Sequence, residues 1–145
     1  MARDANDITA VVDLSAPETR RALSPTAIRG FFSIAREWRL ETKQMRALLG
    51  GVASSTLRAW KRSPDKRVLG QDTITRISLV LGIYKALHTY LGEAGDYWIT
   101  HPNDGHPFGG ANPIDYMIDA GVIGMYEVRR MLDAWAIGHR GQVLP

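Results

Sequence analysis

The chain has no cysteine among its 145 residues, so no disulfide framework and no thiolate metal site can be built from it. Long apolar runs are missing too: no stretch approaches the ~18 consecutive apolar residues that a spanning helix needs. The N-terminus, MARDANDITAVVDLSAPETRR, carries acids where a secretory leader needs an uncharged apolar run. These absences point to a cytoplasmic protein with no membrane association. Disorder as a global state is excluded by a hydrophobic content of 45%, enough for the core of one ordinary domain or two small ones sharing it.

A net charge of +3 says little until it is divided along the chain. From Arg36 to Arg67 nine cations face three carboxylates, leaving +6; from Gly92 to Pro145 three arginines face seven carboxylates, leaving −4. The two halves therefore address different partners, and the first suits a polyanion.

No strand pair and no internal repeat is apparent, and the fold is expected to be all-α. Residues 1–23 are polar and weakly periodic and read as a mobile arm, with a short extended piece at Ile8–Leu14. Ser24-Pro25 has the pattern of a capping residue followed by a first-turn proline and predicts a helix start. Ile28, Phe31, Phe32, Ala35 and Trp38 then mark one apolar face. Two short helices, about Lys43–Leu49 and Ser54–Arg62, are separated by Gly50-Gly51, which supplies positive φ. Ile74, Ile77, Leu81, Tyr84, His88 and Leu91 alternate in steps of three and four along a long helix, a seam that could also pair two copies of the chain. The stretch YWITHPNDGHPFGGANP reads as a loop whose aromatics, Tyr97, Trp98 and Phe108, pack on something. Asn112-Pro113 launches a helix that Gly121 ends, and a last helix spans about Met125–Ile137 with Gly138 as its stop. The expected organisation is an arm at 1–23, a DNA-binding unit at 24–69, a connecting and dimerising helix at 70–91, and a second module at 92–145.

The segment VASSTLRAWKRS carries the first functional signal. Two helices crossing at a tight turn need a small residue at the crossing, a residue that bends, and apolar residues locking the second helix onto the first. Ala47, Gly51, Val52, Leu57 and Trp60 supply them at the spacing of a helix-turn-helix, with Ser54 placed to cap the second helix. Ser55, Thr56, Arg58, Ala59, Lys61 and Arg62 are then left facing outward. In such a motif the second helix enters the major groove, so Ser55 and Thr56 can bond phosphate or base and Arg58 can reach guanine bidentately. Lys61 and Arg62, with Lys66 and Arg67, suit phosphates. Lys43 and Gln44 at the start of the first helix, with Ser54, complete the candidate DNA-binding set. A recognition helix covers one half-site, and a homodimer through residues 74–91 is expected to supply the other.

A DNA reader needs only the first half. In the remainder, WITHPNDGHPFGGANPIDYMIDAG (98–121) followed by a helix ending at Gly138 resembles the toxin-binding domain of the Xre/MbcA/ParS family of type II antitoxins, whose pattern is a tryptophan, pN, fgG.sP, a helix ending in glycine and a further helix ending in glycine. The likeness covers about residues 70–141. It departs at Ala111-Asn112, where the family more often has serine before the proline; asparagine caps as well as serine. The resemblance implies an antitoxin that neutralises a partner toxin, typically a RES-domain enzyme that consumes NAD, by covering its active-site entrance with the C-terminal domain, and that represses its own operon. Within it, Tyr126, Arg129, Arg130 and Arg140 are the candidate toxin-binding residues, since a guanidinium pairs with groups that bind or replace phosphate. The alternative is a stand-alone transcriptional regulator whose C-terminal half dimerises or senses a ligand.

Enzymatic chemistry has little support. His101 and His106 lie five apart in a Pro/Gly-rich loop with no helical face to align them, so no metal site is expected. FGGAN lacks the lysine and the preceding strand of a phosphate loop. Carboxylates such as Asp115 are accounted for by a helix dipole, and no nucleophile accompanies them. Neither catalytic residues nor a cofactor is expected.

Overall fold

The computed structural model describes residues 13–138. Among them the chain forms seven α-helices and no strand: α1 (Pro17–Glu37), α2 (Thr42–Leu48), α3 (Ser54–Arg62), α4 (Gln71–Leu91), α5 (Ala94–Thr100), α6 (Pro113–Ala120) and α7 (Val122–Gly138), with a 3-10 turn at Pro64–Lys66. No helix of the described residues is long and apolar enough to cross a membrane.

Helix α4 is the spine. It packs on α1 on the N-terminal side and on α5 and α7 on the C-terminal side. Ile74, Ile77, Val80, Ile83 and Leu87 are fully buried along it and belong to one core that also takes in Ile28, Phe31 and Trp38 of the first half and Met117, Met125, Val128 and Leu132 of the second. The predicted seam is therefore filled from within the same chain: Ile74 and Ile77 are buried, and Leu81, Tyr84 and Leu91 pack at the core's edge. Along the helix only its edge residues, among them Leu81, Tyr84 and Leu91, stay partly exposed. The helix runs unbroken through Gly82, whose missing Cβ admits a neighbour: a methyl group there would lie 1.9 Å from the Arg129 Nη1 on α7.

Two boundaries differ from the sequence expectation. Helix α1 begins at Pro17, so the ordered structure includes residues assigned above to a mobile arm, and Pro25 lies inside the helix rather than at its start. The first-turn proline is Pro17, eight residues earlier, and it follows Ala16, whose side chain caps nothing. Ser24 is wholly buried, and its hydroxyl donates to the Arg20 carbonyl and accepts the Leu69 N–H at 2.9 Å, joining α1 to the strand of chain that enters α4. Of the extended piece expected at 8–14, residues 8–12 lie outside the described residues, while Asp13 and Leu14 form no strand.

The second difference is α5, helical where a loop was expected. Its sequence, AGDYWIT, has little helical periodicity, and tertiary burial of Gly95 and Ile99 holds it against α4. Trp98 meets Phe108 edge-on at 5.5 Å and Trp135 at 5.6 Å, while Tyr97 stays outside and stacks on His101. The loop that follows is closed by Asn103 N–H to the Ala111 carbonyl and Gly110 N–H to the Asn103 carbonyl. Asn112 caps α6 as expected, accepting from the Asp115 N–H at 2.8 Å.

Candidate nucleic-acid and protein-docking surfaces

Helices α2 and α3 form a helix-turn-helix. Gly50 and Gly51, at φ of +93° and +92°, make the turn. The turn is clamped by Arg46, whose Nε donates to the Val52 carbonyl at 2.7 Å, a role the sequence reading did not assign. Leu57 is buried and Trp60 half-buried against the core, which fixes the rotation of α3. Ser55, Arg58 and Arg62, at spacings of three and four, are exposed on one face; Thr56 is half-buried. Lys61 is exposed but leans toward α1, with its ammonium 5.9 Å from the centre of the Phe32 ring. That contact leaves Arg58 and Arg62 as the cations standing clear on the outer face of α3.

Two members of the predicted DNA set have structural work of their own or a changed position. Ser54 is not the cap: Ala53 occupies that position, no side chain caps α3, and Ser54 is the first residue of the helix. Gln44 accepts the Glu41 N–H at 2.8 Å in a capping box that starts α2, which takes its side chain to the helix end. Lys43, its neighbour, is exposed. Asp65, the acid nearest the basic patch in sequence, is paired to Arg29 at 2.6 Å.

In the second half the outer face of α7 exposes large apolar side chains. Ile123 is 73% exposed, Tyr126 46% and Ile137 66%, and Arg130 and Ala134 complete the stripe between them. Beside it lies an open groove of about 470 Å³ lined by His106, Pro107, Glu127, Arg130, Met131 and Trp135. Tyr116 donates to Glu127 at 2.8 Å, and that bond is the leading reason the phenol's pKa is raised. Arg129, expected to reach the toxin, does not belong to this face: its guanidinium lies over Gly82, and its Nε is 3.1 Å from Asp133. Arg140 lies outside the described residues.

Where α1, α4 and α5 meet, a polar cluster joins the two halves. His88 Nε2 is 2.9 Å from Asp96 Oδ1 and 3.9 Å from Glu37 Oε2. The Trp38 indole donates to Asp96 at 3.0 Å and the Tyr84 hydroxyl to Glu37 at 2.6 Å. The bond to Glu37, followed by burial, pushes the Tyr84 phenol up to about 12.

With a helix-turn-helix in one half and an exposed apolar helix face in the other, the comparisons with known proteins divide the chain at the same place. Residues 17–82 match the antitoxin Xre-like helix-turn-helix domain, and residues 86–138 match the antitoxin Xre/MbcA/ParS C-terminal toxin-binding domain. The chain belongs to the Xre/MbcA/ParS family of antitoxins. The antitoxin is also similar to the uncharacterized protein y4oB of Sinorhizobium fredii (strain NBRC 101917 / NGR234), 38% identical over 122 residues that cover 83% of this chain and 92% of that protein. The second matched module of the antitoxin is a toxin-binding domain, and its partner is a toxin. The boundary between them, residues 83–85, falls in the middle of α4.

Proposed function

We propose that this antitoxin neutralises a RES-domain, NAD-consuming toxin by laying the outer face of α7 and its adjoining groove over the toxin's active-site entrance, and that it represses its own operon through α3. The observation that supports the first part is that Ile123, Tyr126 and Ile137 are all exposed along one helix of the module matched as toxin-binding. Large apolar side chains exposed in a row, with an arginine among them, suit a partner surface. Tyr126 and Arg130 are the contact residues retained from the sequence reading; aromatic and arginine side chains are the ones that dominate such interfaces. Arg129 supports them from behind by holding α7 on α4.

For the second part, Ser55, Arg58 and Arg62 form the face that enters the major groove, with Lys43, Lys61 and Lys66 toward the phosphates. A palindromic operator demands two such helices about 34 Å apart. The homodimer that provides them uses a surface other than the α4 seam, which the antitoxin fills itself.

Co-expression with the RES toxin tests this. The wild-type antitoxin restores growth and co-purifies with the toxin. Ile137→Asp combined with Arg130→Glu abolishes rescue while operator binding by mobility shift is kept. Rescue undiminished by the double variant would remove α7 from the toxin interface. Operator binding in the absence of any toxin interaction would instead support the stand-alone regulator.

A further inference from the structure

We infer that Glu37, His88 and Asp96 form a binding site for a zinc-class divalent cation at the junction of α1, α4 and α5. One imidazole nitrogen and two carboxylate oxygens, each from a different helix, lie within 4.8 Å of one another. Ligands held 2.0–2.1 Å from a tetrahedral zinc are about 3.3 Å apart. The two separations from His88 Nε2, 2.9 and 3.9 Å, bracket that value, so the three atoms reach coordination distance by small side-chain rotations.

The surroundings are those of a ligand set held in orientation. Each carboxylate oxygen that faces the imidazole also accepts a bond from a fixed aromatic donor, Trp38 on Asp96 and Tyr84 on Glu37. Such outer donors aim metal-binding carboxylates and leave their remaining lone pairs for the ion. The Tyr84 ring lies against the imidazole at 4.2 Å and sets its plane. Side-chain exposures of 29%, 27% and 44% for His88, Asp96 and Glu37 give an ion and its fourth ligand, a water, access from solvent. A mixed N/O donor set with imidazole selects zinc, cobalt or nickel over magnesium and calcium, which take oxygen alone.

A cation here would act as a cross-link. Glu37 is the last residue of α1, in the matched helix-turn-helix domain, and His88 and Asp96 lie in the matched toxin-binding domain. Binding would add a coordinate link between the two, beside the shared hydrophobic core and the polar contacts that already join them.

The test is calorimetric titration of the full chain with zinc chloride, alongside thermal unfolding with and without the ion. The wild type takes up a single equivalent, and its Tm rises by about 5 °C or more at a hundredfold excess over Kd. Cobalt(II) at the same site gives visible d–d absorption that zinc displaces. Asp96→Asn keeps an acceptor for Trp38 and Glu37→Gln keeps one for Tyr84, so both variants fold and both lose the uptake and the Tm shift; His88→Gln loses them as well. Absence of uptake by the wild type would overturn the site and leave the cluster as an ion pair. An unchanged shift in Asp96→Asn and Glu37→Gln would also overturn it, by placing the ion on other histidines such as His101 and His106.

Discussion

Ser24 shows how one hydroxyl can hold a fold that its neighbours in sequence would not suggest. It is completely buried, and it takes the N–H of Leu69, forty-five residues away, while donating to its own helix. Ser24→Ala deletes the acceptor and strands a buried N–H, which costs about 1–3 kcal/mol. Denaturant unfolding should show that loss with an unchanged slope, whereas the exposed neighbour Thr26→Ala should be near neutral. Tyr116 makes a second prediction, one of pH. Its bond to Glu127 raises the phenol's pKa above the ordinary value of 10.0 in the fold. A raised folded value favours the neutral form, so its contribution is fully present below pH ~10 and is lost as pH climbs through the folded pKa. Tyr116→Phe should flatten the alkaline fall in stability, and an absorbance titration should lose one late-ionising tyrosinate. A lost tyrosinate that ionises at the ordinary value of 10.0 would mean that the bond is not kept in solution.

At the level of elements, α3 was legible in the sequence and α5 was not, for opposite physical reasons. Helix α3 is specified locally: the glycine turn before it, Leu57 and Trp60 at inward positions and polar residues between them admit one rotation of the helix, and its bounds, Ser54–Arg62, are those the spacing predicts. Helix α5 has seven residues, two of them β-branched and one a glycine, and it exists because Ile99 and Trp98 have a core to enter. Ser24-Pro25 misled because an internal proline and a first-turn proline look alike until the partner of the serine is known. Arg129 and Arg130 are adjacent and chemically identical; the rotation of α7 about its buried Met125, Val128 and Leu132 turns Arg129 inward, and Gly82 on α4 leaves room for it. The junction of Glu37, His88 and Asp96 was out of reach, since its members are joined by tertiary structure alone. The legible element carries a sharp prediction: Arg58→Ala should weaken operator binding by about 1–3 kcal/mol if the side chain reaches a base. Arg58 is exposed on α3, away from α7, so toxin capture by the same variant should be unchanged in a pull-down. Loss of both activities together would mean that α3 serves the toxin as well.

For the whole molecule the question is whether two matched domains are two folding units, and α4 argues that they are not. The N-terminal part of that helix closes the core under α1, the C-terminal part closes it under α5 and α7, and Ile83 and Leu87 in its middle are entirely buried. Trp38, from the helix-turn-helix half, bonds to Asp96 from the toxin-binding half. Ending the chain after Leu91 would therefore uncover the underside of the reading head as well as remove a domain. Exposure of Ile83 and Leu87 alone costs about 3–6 kcal/mol, at roughly 1.5–3 for each aliphatic side chain. That is comparable with the roughly 5–15 kcal/mol that holds a typical domain folded. The fragment 13–91 is expected to show weakened helical circular dichroism, no cooperative melt and no operator binding, although every DNA-facing residue is present in it. In the full chain, circular dichroism and tryptophan fluorescence should report one coincident transition. A fragment that melts cooperatively and binds operator would show instead that the first half is sufficient and that α4 is a connector after all. The coincident transition has a consequence for the pairing of functions: a toxin that binds the second module stabilises the one folded state that also holds α3, so saturating toxin should raise the stability of the helix-turn-helix as much as that of the module it touches.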